Sequence, residues 1–265
     1  MYDFAYEKPN SLADAVASLK ANLDSKALAG GQTFIPVLKQ RLNKPSVVVD
    51  LAKLNLKGIT VTPSTVTIGA MTTHGEIALS ADIQKTLPAL AHMASMIGDW
   101  QVRHRGTMGG SIANNDPAAC YPSALLALGG TVTTDRRTIK AEDYFQGMFT
   151  TALEEGELIT SVSFPVPEKA AYTKFRNPAS RYAMVGVFVA KFAGGVRVAI
   201  TGASQSGVFR HTAFETALSA NFTPDAIKDI VTPADGLNSD IHASAPYRAH
   251  LIGVMAKRAV IEACA

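Results

Sequence analysis

Cysteine is almost absent from this sequence. Only Cys120 and Cys264 occur among the 265 residues. Small secreted domains use several disulfides to compensate for a limited core, and iron–sulfur clusters need more cysteine ligands than this chain contains. The sequence therefore excludes a disulfide scaffold and a cysteine-ligated metal cluster of its own. The low cysteine content is typical of a reducing compartment.

A large excess of charge of one sign is also missing. Lys and Arg exceed Asp and Glu by 25 − 22 = 3, which is too little to indicate a nucleic-acid partner. No stretch reaches the ~18 consecutive apolar residues that a transmembrane helix requires, and the N-terminus lacks the basic and apolar regions of a secretory signal. We therefore expect a cytoplasmic protein without a transmembrane segment, with a peripheral position at the inner face of the membrane as the alternative.

Several familiar catalytic motifs do not occur. The sequence contains no G-x-x-x-x-G-K-S/T loop, no H-E-x-x-H, no G-x-S-x-G, no C-x-x-C and no G-x-G-x-x-G. These absences argue against an ATPase, a zinc protease, a serine hydrolase, a dithiol oxidoreductase and a nicotinamide-binding Rossmann unit. A bound organic cofactor remains as the source of chemistry, and we assign no catalytic side chain and no metal ligand.

The composition is that of a folded protein, with 47% hydrophobic and 18% charged residues. The length suffices for one large domain or two. Pro165 and Pro167 follow a strand-like run and predict a boundary. Beyond them, residues 184–192 and 196–201 predict a hairpin across Gly194-Gly195, and residues 245–263 predict a long packing helix. Nearer the N-terminus, Ser11 is a candidate cap for the first helical pattern, and Thr73 and Glu76 have the spacing of a capping box.

The stretch from Gly106 to Gly130 concentrates glycine and asparagine. Because Gly109, Gly110 and Ser111 lack bulky side chains, their backbone N–H groups can approach a phosphate closely. Asp116 followed by Pro117 predicts a helix start that continues to Gly129. A tight turn without a ligand explains such glycines about equally well when this stretch is taken alone.

A second pair of glycines favours the ligand. Gly30 and Gly31 lie between a short strand, residues 26–29, and a helical pattern that begins near Phe34. With the apolar run at residues 47–49, this segment predicts a βαβ unit. Two double-glycine turns indicate one ligand that carries two phosphates.

These two stretches carry a resemblance to a known family. AGGQT at residues 29–33 and TMGGSIANNDPA at residues 107–118 resemble the paired motifs of the FAD-binding medium subunit of molybdenum hydroxylases, the xanthine dehydrogenase and carbon monoxide dehydrogenase family. The resemblance extends over essentially the whole chain. It implies an α+β fold, with a two-lobed FAD-binding region of the vanillyl-alcohol-oxidase or PCMH type and a small α+β C-terminal domain like that of the carbon monoxide dehydrogenase flavoprotein. The expected bounds are 1–166, with lobes at about 1–55 and 56–166, and then 167–265.

The resemblance also implies a set of FAD-binding residues. The first cradle comprises Leu28, Ala29, Gly30, Gly31, Gln32, Thr33, Phe34 and Ile35, and the second Thr107, Gly109, Gly110 and Ser111. Asn115, Lys174 and Tyr182 complete the set, together with Cys120. Lys174 falls where relatives place a lysine near the flavin, and an exposed strand lysine is the alternative; for Tyr182 the alternative is a core position.

Cys120 marks a departure from the family. Many relatives have an aspartate three residues after the proline of this motif, and this chain has a cysteine there. A thiol is a weak donor and a poor acceptor, so a cofactor contact at this position is weakened or taken over by backbone or water. Asn115 and Asp116 are candidates to compensate, and Asp116 is equally well explained as a helix cap.

The function implied by the resemblance is electron transfer through FAD. In this family a large subunit holds the molybdenum cofactor and a small subunit holds [2Fe–2S] clusters, so we expect both as separate partner chains, in a dimer of heterotrimers, with an external electron acceptor. This chain would be the FAD-carrying oxidoreductase subunit, as in carbon monoxide or xanthine dehydrogenase. The alternatives are a free-standing FAD-dependent oxidoreductase of the same fold and a non-redox protein that binds a nucleotide phosphate.

Overall fold

The computed structural model describes residues 1–265. Its N-terminal unit is a three-stranded parallel sheet with strand order β1-β3-β2. Strand β3 is buried along its whole length, because it is the central strand and its β-branched residues Val47 to Val49 are apolar. The elements of this unit are β1 (Ala5–Glu7), α1 (Leu12–Ala21), β2 (Lys26–Leu28), α2 (Phe34–Lys39) and β3 (Val47–Asp50).

The predictions for this unit are confirmed. Strands β2 and β3 pair in parallel with α2 between them, which is the predicted βαβ unit. The hydroxyl of Ser11 caps α1 by accepting a hydrogen bond from the backbone N–H of Asp14 at 3.1 Å. A small core of its own lies under this sheet and includes Ala15, Leu19 and Val49.

A five-stranded antiparallel sheet follows in the chain. Its strand order is β4-β5-β10-β6-β7, and the alternation of apolar and polar residues along β5 and β6 buries one face of each strand. Val162 in the central strand lies opposite Ile68 on one side and Val132 on the other. The strands are β4 (Ile59–Val61), β5 (Thr65–Gly69), β6 (Thr131–Thr134), β7 (Thr138–Lys140) and β10 (Ile159–Pro165).

Helices cover this sheet and form one core with it. Helix α8 is buried at every position, because its sequence YPSALLAL is almost wholly apolar. A short hairpin of β8 (Phe145–Gly147) and β9 (Thr150–Thr151) lies beyond it. The helices are α3 (His74–Leu79), α4 (Ala81–Thr86), α5 (Pro88–Ser95), α6 (Trp100–Arg105), α7 (Met108–Asn114), α8 (Tyr121–Leu128) and α9 (Ala141–Tyr144).

The C-terminal part contains a four-stranded antiparallel sheet with strand order β11-β12-β13-β14. Strands β12 and β13 form the predicted hairpin, and the predicted long helix is α11. The elements are β11 (Lys169–Arg176), β12 (Ala183–Phe192), β13 (Gly195–Thr201), β14 (Phe209–Arg210), α10 (Thr212–Ala220) and α11 (Ala245–Cys264). None of the helices in the chain combines the length and apolar character of a membrane-spanning segment.

This last sheet is covered on both faces. Helix α11 packs on one face and, with Val187 and Ile252, forms the C-terminal core. The opposite face presents Tyr172, Phe188 and Ala199, which belong to the same core as α8 and the five-stranded sheet. The C-terminal sheet is therefore joined to the preceding part by continuous apolar packing.

The structure corrects two predictions for the second glycine-rich stretch. The helix predicted to start at Asp116-Pro117 begins at Tyr121, because the Asp116 carboxylate accepts a hydrogen bond from the Ala118 N–H at 2.8 Å and closes a local turn instead. Gly109 and Gly110 lie in the first turn of α7 rather than in a loop. Asn115 ends α7 in the left-handed conformation, with φ 42°.

Candidate functional site

The first glycine motif presents free backbone donors. None of the consecutive N–H groups from Gly30 to Phe34 donates a hydrogen bond to another group of the protein. No side chain caps α2, which begins at Phe34. Unsatisfied N–H groups in succession attract an anion, because each carries a partial positive charge and needs an acceptor. This segment can therefore bind a phosphate.

The second motif contributes differently from the prediction. The N–H of Gly109 donates to the carbonyl oxygen of Ala70 at 2.8 Å, and the N–H of Gly110 donates to the hydroxyl of Thr107 at 3.2 Å. Neither N–H is thus free for a phosphate. What this motif offers is a wall without bulky side chains and the hydroxyl-bearing residues Thr107 and Ser111.

The fold brings the two motifs into contact. A Cβ built on Gly110 would lie 3.5 Å from the Cβ of Ala29 and 2.9 Å from the hydroxyl oxygen of Thr107. Thr107 also pairs with Thr73 in an isolated antiparallel bridge, which ties α7 to the start of α3. The Thr73 hydroxyl and the Glu76 carboxylate form the predicted capping box of α3.

A cavity of about 590 Å³ runs along both motifs, a volume typical of a cofactor site. Its lining includes Lys26 and Leu158 from the first two sheets and their connections, and Lys174 and Tyr182 from the C-terminal part. The predicted site residues that line it are Ala29, Gly30, Gly31, Gln32, Thr33, Phe34, Thr107, Gly109, Gly110, Ser111, Cys120, Lys174 and Tyr182. The tertiary structure thus gathers residues from the three larger sheets around one space.

Three residues of the predicted set lie outside this lining, namely Leu28, Ile35 and Asn115. Leu28 ends strand β2, and the side chain of Ile35 packs beneath Gly31, where a Cβ would meet it at 2.6 Å. Asn115 is only 2% exposed, and its side-chain amide donates to the carbonyl oxygens of Gly147 and Thr150, both at 2.8 Å. Asn115 therefore shapes the β8–β9 hairpin behind the wall.

Lys174 and Cys120 meet at one end of the cavity. The Lys174 ammonium donates to the carbonyl oxygen of Met96 at 2.8 Å and lies 3.6 Å from the Cys120 sulfur. Tyr182 stands at the same end with half of its surface exposed. Burial, with the neighbouring Asp116 and Cys120, raises the pKa of its hydroxyl. Burial also raises the pKa of Asp116 itself.

The sequence analysis missed His74 as a candidate site residue. It is buried and lines the cavity, and its Nδ1 atom has no hydrogen-bond partner in the protein. Burial and the nearby Arg103 lower its pKa to about 4, so the imidazole is neutral at physiological pH. Its helix-start position was readable from the capping box. Its place in the cavity was not, because that place depends on contact with Gly106.

A second cavity, of about 640 Å³, adjoins the first. Arg103, His104, Arg105 and Lys57 make its lining basic, and Glu76 contributes a carboxylate that pairs with Lys57 at 3.3 Å. Gly30, which lies against the backbone of Arg105, lines both cavities. No cluster of His, Cys, Asp or Glu in the chain is arranged to hold a metal ion.

Comparison with known proteins identifies the family. Residues 2–167 match the FAD-binding domain of molybdopterin dehydrogenases. The chain belongs to this family. It is 35% identical to the glyceraldehyde dehydrogenase medium chain of Sulfolobus acidocaldarius, over 98% of both chains. It is 34% identical to the carbon monoxide dehydrogenase medium chain of Afipia carboxidovorans, over 97% of this chain and 95% of that one.

Solved structures agree with the sequence relatives. The chain superposes with a TM-score of 0.89 on a chain of reconstituted CO dehydrogenase from Oligotropha carboxidovorans, at 33% identity and over 98% of this chain and 97% of that one. The α+β, PCMH-type FAD-binding fold expected from the sequence is confirmed. The relatives are medium or FAD subunits of oxidoreductases that contain several subunits.

The residues of the first motif fit the cofactor of this family. FAD carries a pyrophosphate, and the free N–H groups of Gly30 to Phe34 face a cavity large enough for a cofactor. Small residues of the second motif, Gly109 to Ser111, form the opposite wall. The donor set, the volume and the family therefore agree.

Proposed function

We propose that this chain is the FAD-carrying electron-transfer subunit of a molybdenum-containing hydroxylase or dehydrogenase. The observation that carries the proposal is the run of unpartnered N–H groups from Gly30 to Phe34 at the wall of the cavity. The family and its medium-subunit relatives support it. FAD, when bound, supplies chemistry that accepts electrons singly or in pairs and passes them on.

The residues of the chain bind and orient the cofactor in this proposal. The N–H groups of the first motif hold the pyrophosphate, and Thr107, Gly109, Gly110 and Ser111 close the cavity from the other side. Lys174, Cys120 and Tyr182 line the part of the cavity that the pyrophosphate does not occupy, where the flavin ring would bind. Asn115, Leu28 and Ile35 support these walls from behind. No acid, base or nucleophile of the chain is required, since the protein supplies position and electrostatics.

Electrons must enter and leave through partners. The chain has two cysteines and no metal-binding cluster, so the iron–sulfur clusters and the molybdenum cofactor belong to a small and a large partner subunit in this proposal. We propose a dimer of such heterotrimers and an external acceptor that removes electrons from FAD. The relatives named as medium chains support a complex with larger and smaller subunits.

We also propose that the functional division of the chain falls near residue 166. The FAD-binding part would comprise residues 1–166 in two lobes, at about 1–55 and 56–166, and the C-terminal part residues 167–265. The change from the five-stranded to the four-stranded sheet between β10 and β11 supports this boundary. Lys174 and Tyr182 show that the second part also contributes to the cavity.

The visible absorption spectrum of the purified chain tests the proposal. The chain is expressed alone and with its partner subunits, supplied with FAD, and the cofactor released by acid is identified by mass. We expect stoichiometric, reducible FAD, with substrate oxidation only when the partners are present. A chain that stays colourless in excess FAD with and without partners would refute FAD binding. Substrate oxidation by the isolated flavoprotein would instead favour a free-standing oxidoreductase.

A further inference from the structure

Lys174 is a cation without an anionic partner. It lines the end of the FAD cavity, and none of the ion pairs of the protein includes it. Its ammonium contacts only a carbonyl oxygen, at Met96, and a thiol sulfur, at Cys120. A partly buried ammonium is usually compensated by a carboxylate, because its desolvation is costly. Here the positive charge is left facing the cavity.

Cys120 is held in place from behind. Its side chain is buried at the N-terminal boundary of α8, and its backbone carbonyl accepts the hydroxyl of Ser123 at 2.7 Å. The hydroxyl of Tyr172 is fully buried, and no hydrogen-bond partner of ordinary geometry satisfies it. Burial, and then the neighbouring Cys120 thiol, raise the pKa of Tyr172.

Resting on the FAD-binding function proposed above, we propose that Cys120 is a positioning residue for Lys174. The thiol fixes the ammonium against the cavity wall without cancelling its charge. A carboxylate at this position would hold the lysine equally well but would neutralise it. The arrangement favours an electron-rich group beside Lys174, so it binds the reduced cofactor more tightly than the oxidised one.

Tyr172 gives this assignment a second support. A Cβ at Gly186, which pairs with Lys174 across the sheet, would meet the Tyr172 hydroxyl at 2.5 Å. Glycine at position 186 therefore leaves room for the tyrosine next to the cysteine. Tyr172 and Lys174 lie two positions apart on β11, so the strand itself sets their spacing relative to the thiol.

The first experiment asks whether Cys120 faces the bound cofactor. In a Cys264→Ser background Cys120 is the only thiol, and its reaction with iodoacetamide is followed by intact mass with and without saturating FAD. We expect at least tenfold slower alkylation with FAD. Equal rates while the spectrum shows bound FAD would overturn the inference and leave the proposed function intact. Absence of bound FAD in the spectrum would overturn the proposed function and the inference with it.

The second experiment asks whether Cys120 acts through Lys174. The midpoint potential of bound FAD is measured on the full chain, or on its complex, in Cys120→Ala, Lys174→Met and the double variant. We expect Lys174→Met to reduce the preference for reduced FAD about tenfold, ~30 mV for a two-electron couple. Cys120→Ala should shift the potential in the same direction, and should have no further effect once Lys174 is replaced.

Matched variants distinguish a role of Cys120 in positioning Lys174 from a role in packing alone. Cys120→Ser keeps a neutral acceptor and should restore most of the potential that Cys120→Ala loses, whereas Cys120→Asp should lower it as far as Lys174→Met. Lys169→Met, an exposed lysine on the same strand, should leave the potential unchanged. Equal shifts from Cys120→Ala with and without Lys174, or no shift in either, would overturn the positioning role. Thermal unfolding of each variant identifies any that fail to fold. If Cys120→Ala fails, the potential of Cys120→Ser is compared with and without Lys174 instead.

Discussion

Gly30 lies directly against the backbone carbonyl of Arg105. A Cβ at Gly30 would collide with that oxygen and would also come within 2.9 Å of the Cα of Gly106. Two segments separated in the chain by strands β3, β4 and β5 thus touch backbone to backbone, and Gly30 lines both the cofactor cavity and its basic neighbour. Backbone cannot move aside as a flexible side chain can, so glycine is required here for space.

Replacing Gly30 with alanine should therefore disrupt the FAD site. We expect at least a tenfold loss of FAD affinity, measured by fluorescence titration, because the first motif must move away from Arg105 and its N–H groups lose their alignment. Gly253→Ala is the control, since nothing lies within 4 Å of a Cβ there. That helical substitution should stabilise the protein by ~1 kcal/mol without affecting FAD. Unchanged affinity in Gly30→Ala would refute the role of the contact.

Gly110→Val should abolish FAD retention. The added side chain would start 2.9 Å from the Thr107 hydroxyl and 3.5 Å from the Cβ of Ala29, so it would fill the narrow space between the two motifs. The FAD-to-protein ratio after gel filtration measures the effect, and circular dichroism confirms that the chain is folded. A folded Gly110→Val protein with stoichiometric FAD would show that the second motif does not border the cofactor.

Glu157 should govern part of the acid stability. Hydrogen bonds from Arg137 outweigh burial and lower the Glu157 pKa to about 2, from an ordinary value of 4.5. Because the Glu157 pKa is lower in the folded chain than in the unfolded chain, the ionised carboxylate stabilises the fold at pH values above its unfolded pKa. This stabilisation is lost as the pH falls from about 4.5 towards 2. Glu157→Gln should cost ~2 kcal/mol at pH 7 and flatten the decline below pH 5.

Urea unfolding of the FAD-free chain at several pH values measures this effect. The control is Glu155→Gln, which alters an exposed neighbour and should change stability by less than ~0.5 kcal/mol. If Glu157→Gln and the unsubstituted chain lose stability in parallel between pH 5 and pH 2, the carboxylate is not the cause of the acid sensitivity.

Arg248 should be the strongest single polar contributor to the C-terminal part. Only 4% exposed, its guanidinium donates to the carbonyl oxygens of Met184 and Gly202 at 2.7 and 3.0 Å and pairs with Asp240 at 2.7 Å. Arg248→Met would leave buried carbonyls without donors and should cost ~3 kcal/mol. Arg258→Met, exposed on the same helix, should cost almost nothing by the same chemical-denaturation measurement.

Structural elements that are determined by residues close together in the sequence could be predicted from it. The cap at Ser11, the capping box of Thr73 and Glu76, the βαβ unit and the β12–β13 hairpin all follow from local patterns and were found in the structure. The end of the helix at Gly129 was predicted correctly, but its predicted start at Asp116 was wrong, because the same carboxylate can cap a turn or a helix. Sequence alone does not say which N–H it will accept from.

The roles within the site depended on distant contacts. Both glycine motifs line one cavity, but only the first has free N–H groups, since Ala70 and Thr107 already accept those of the second. The Gly110 N–H is taken by Thr107, the local cap of α7, whereas the Gly109 N–H is taken by Ala70 through the pairing of α7 with residues near β5, which no local pattern records. The same holds for His74, whose position in the cavity wall depends on Gly106.

The sequence by itself determined the family, the expectation of FAD and the segments that would border it, because paired glycines and capping residues act through the backbone next to them. Only the tertiary structure decided which atoms remain free for a ligand. It set the Lys174 ammonium beside the Cys120 thiol and turned Asn115 away to the β8–β9 hairpin. A hydrogen-bonding group is available to a cofactor only when no group of the protein already bonds it. For Lys174 and Asn115 those protein partners are distant in the sequence and are brought close only by the fold.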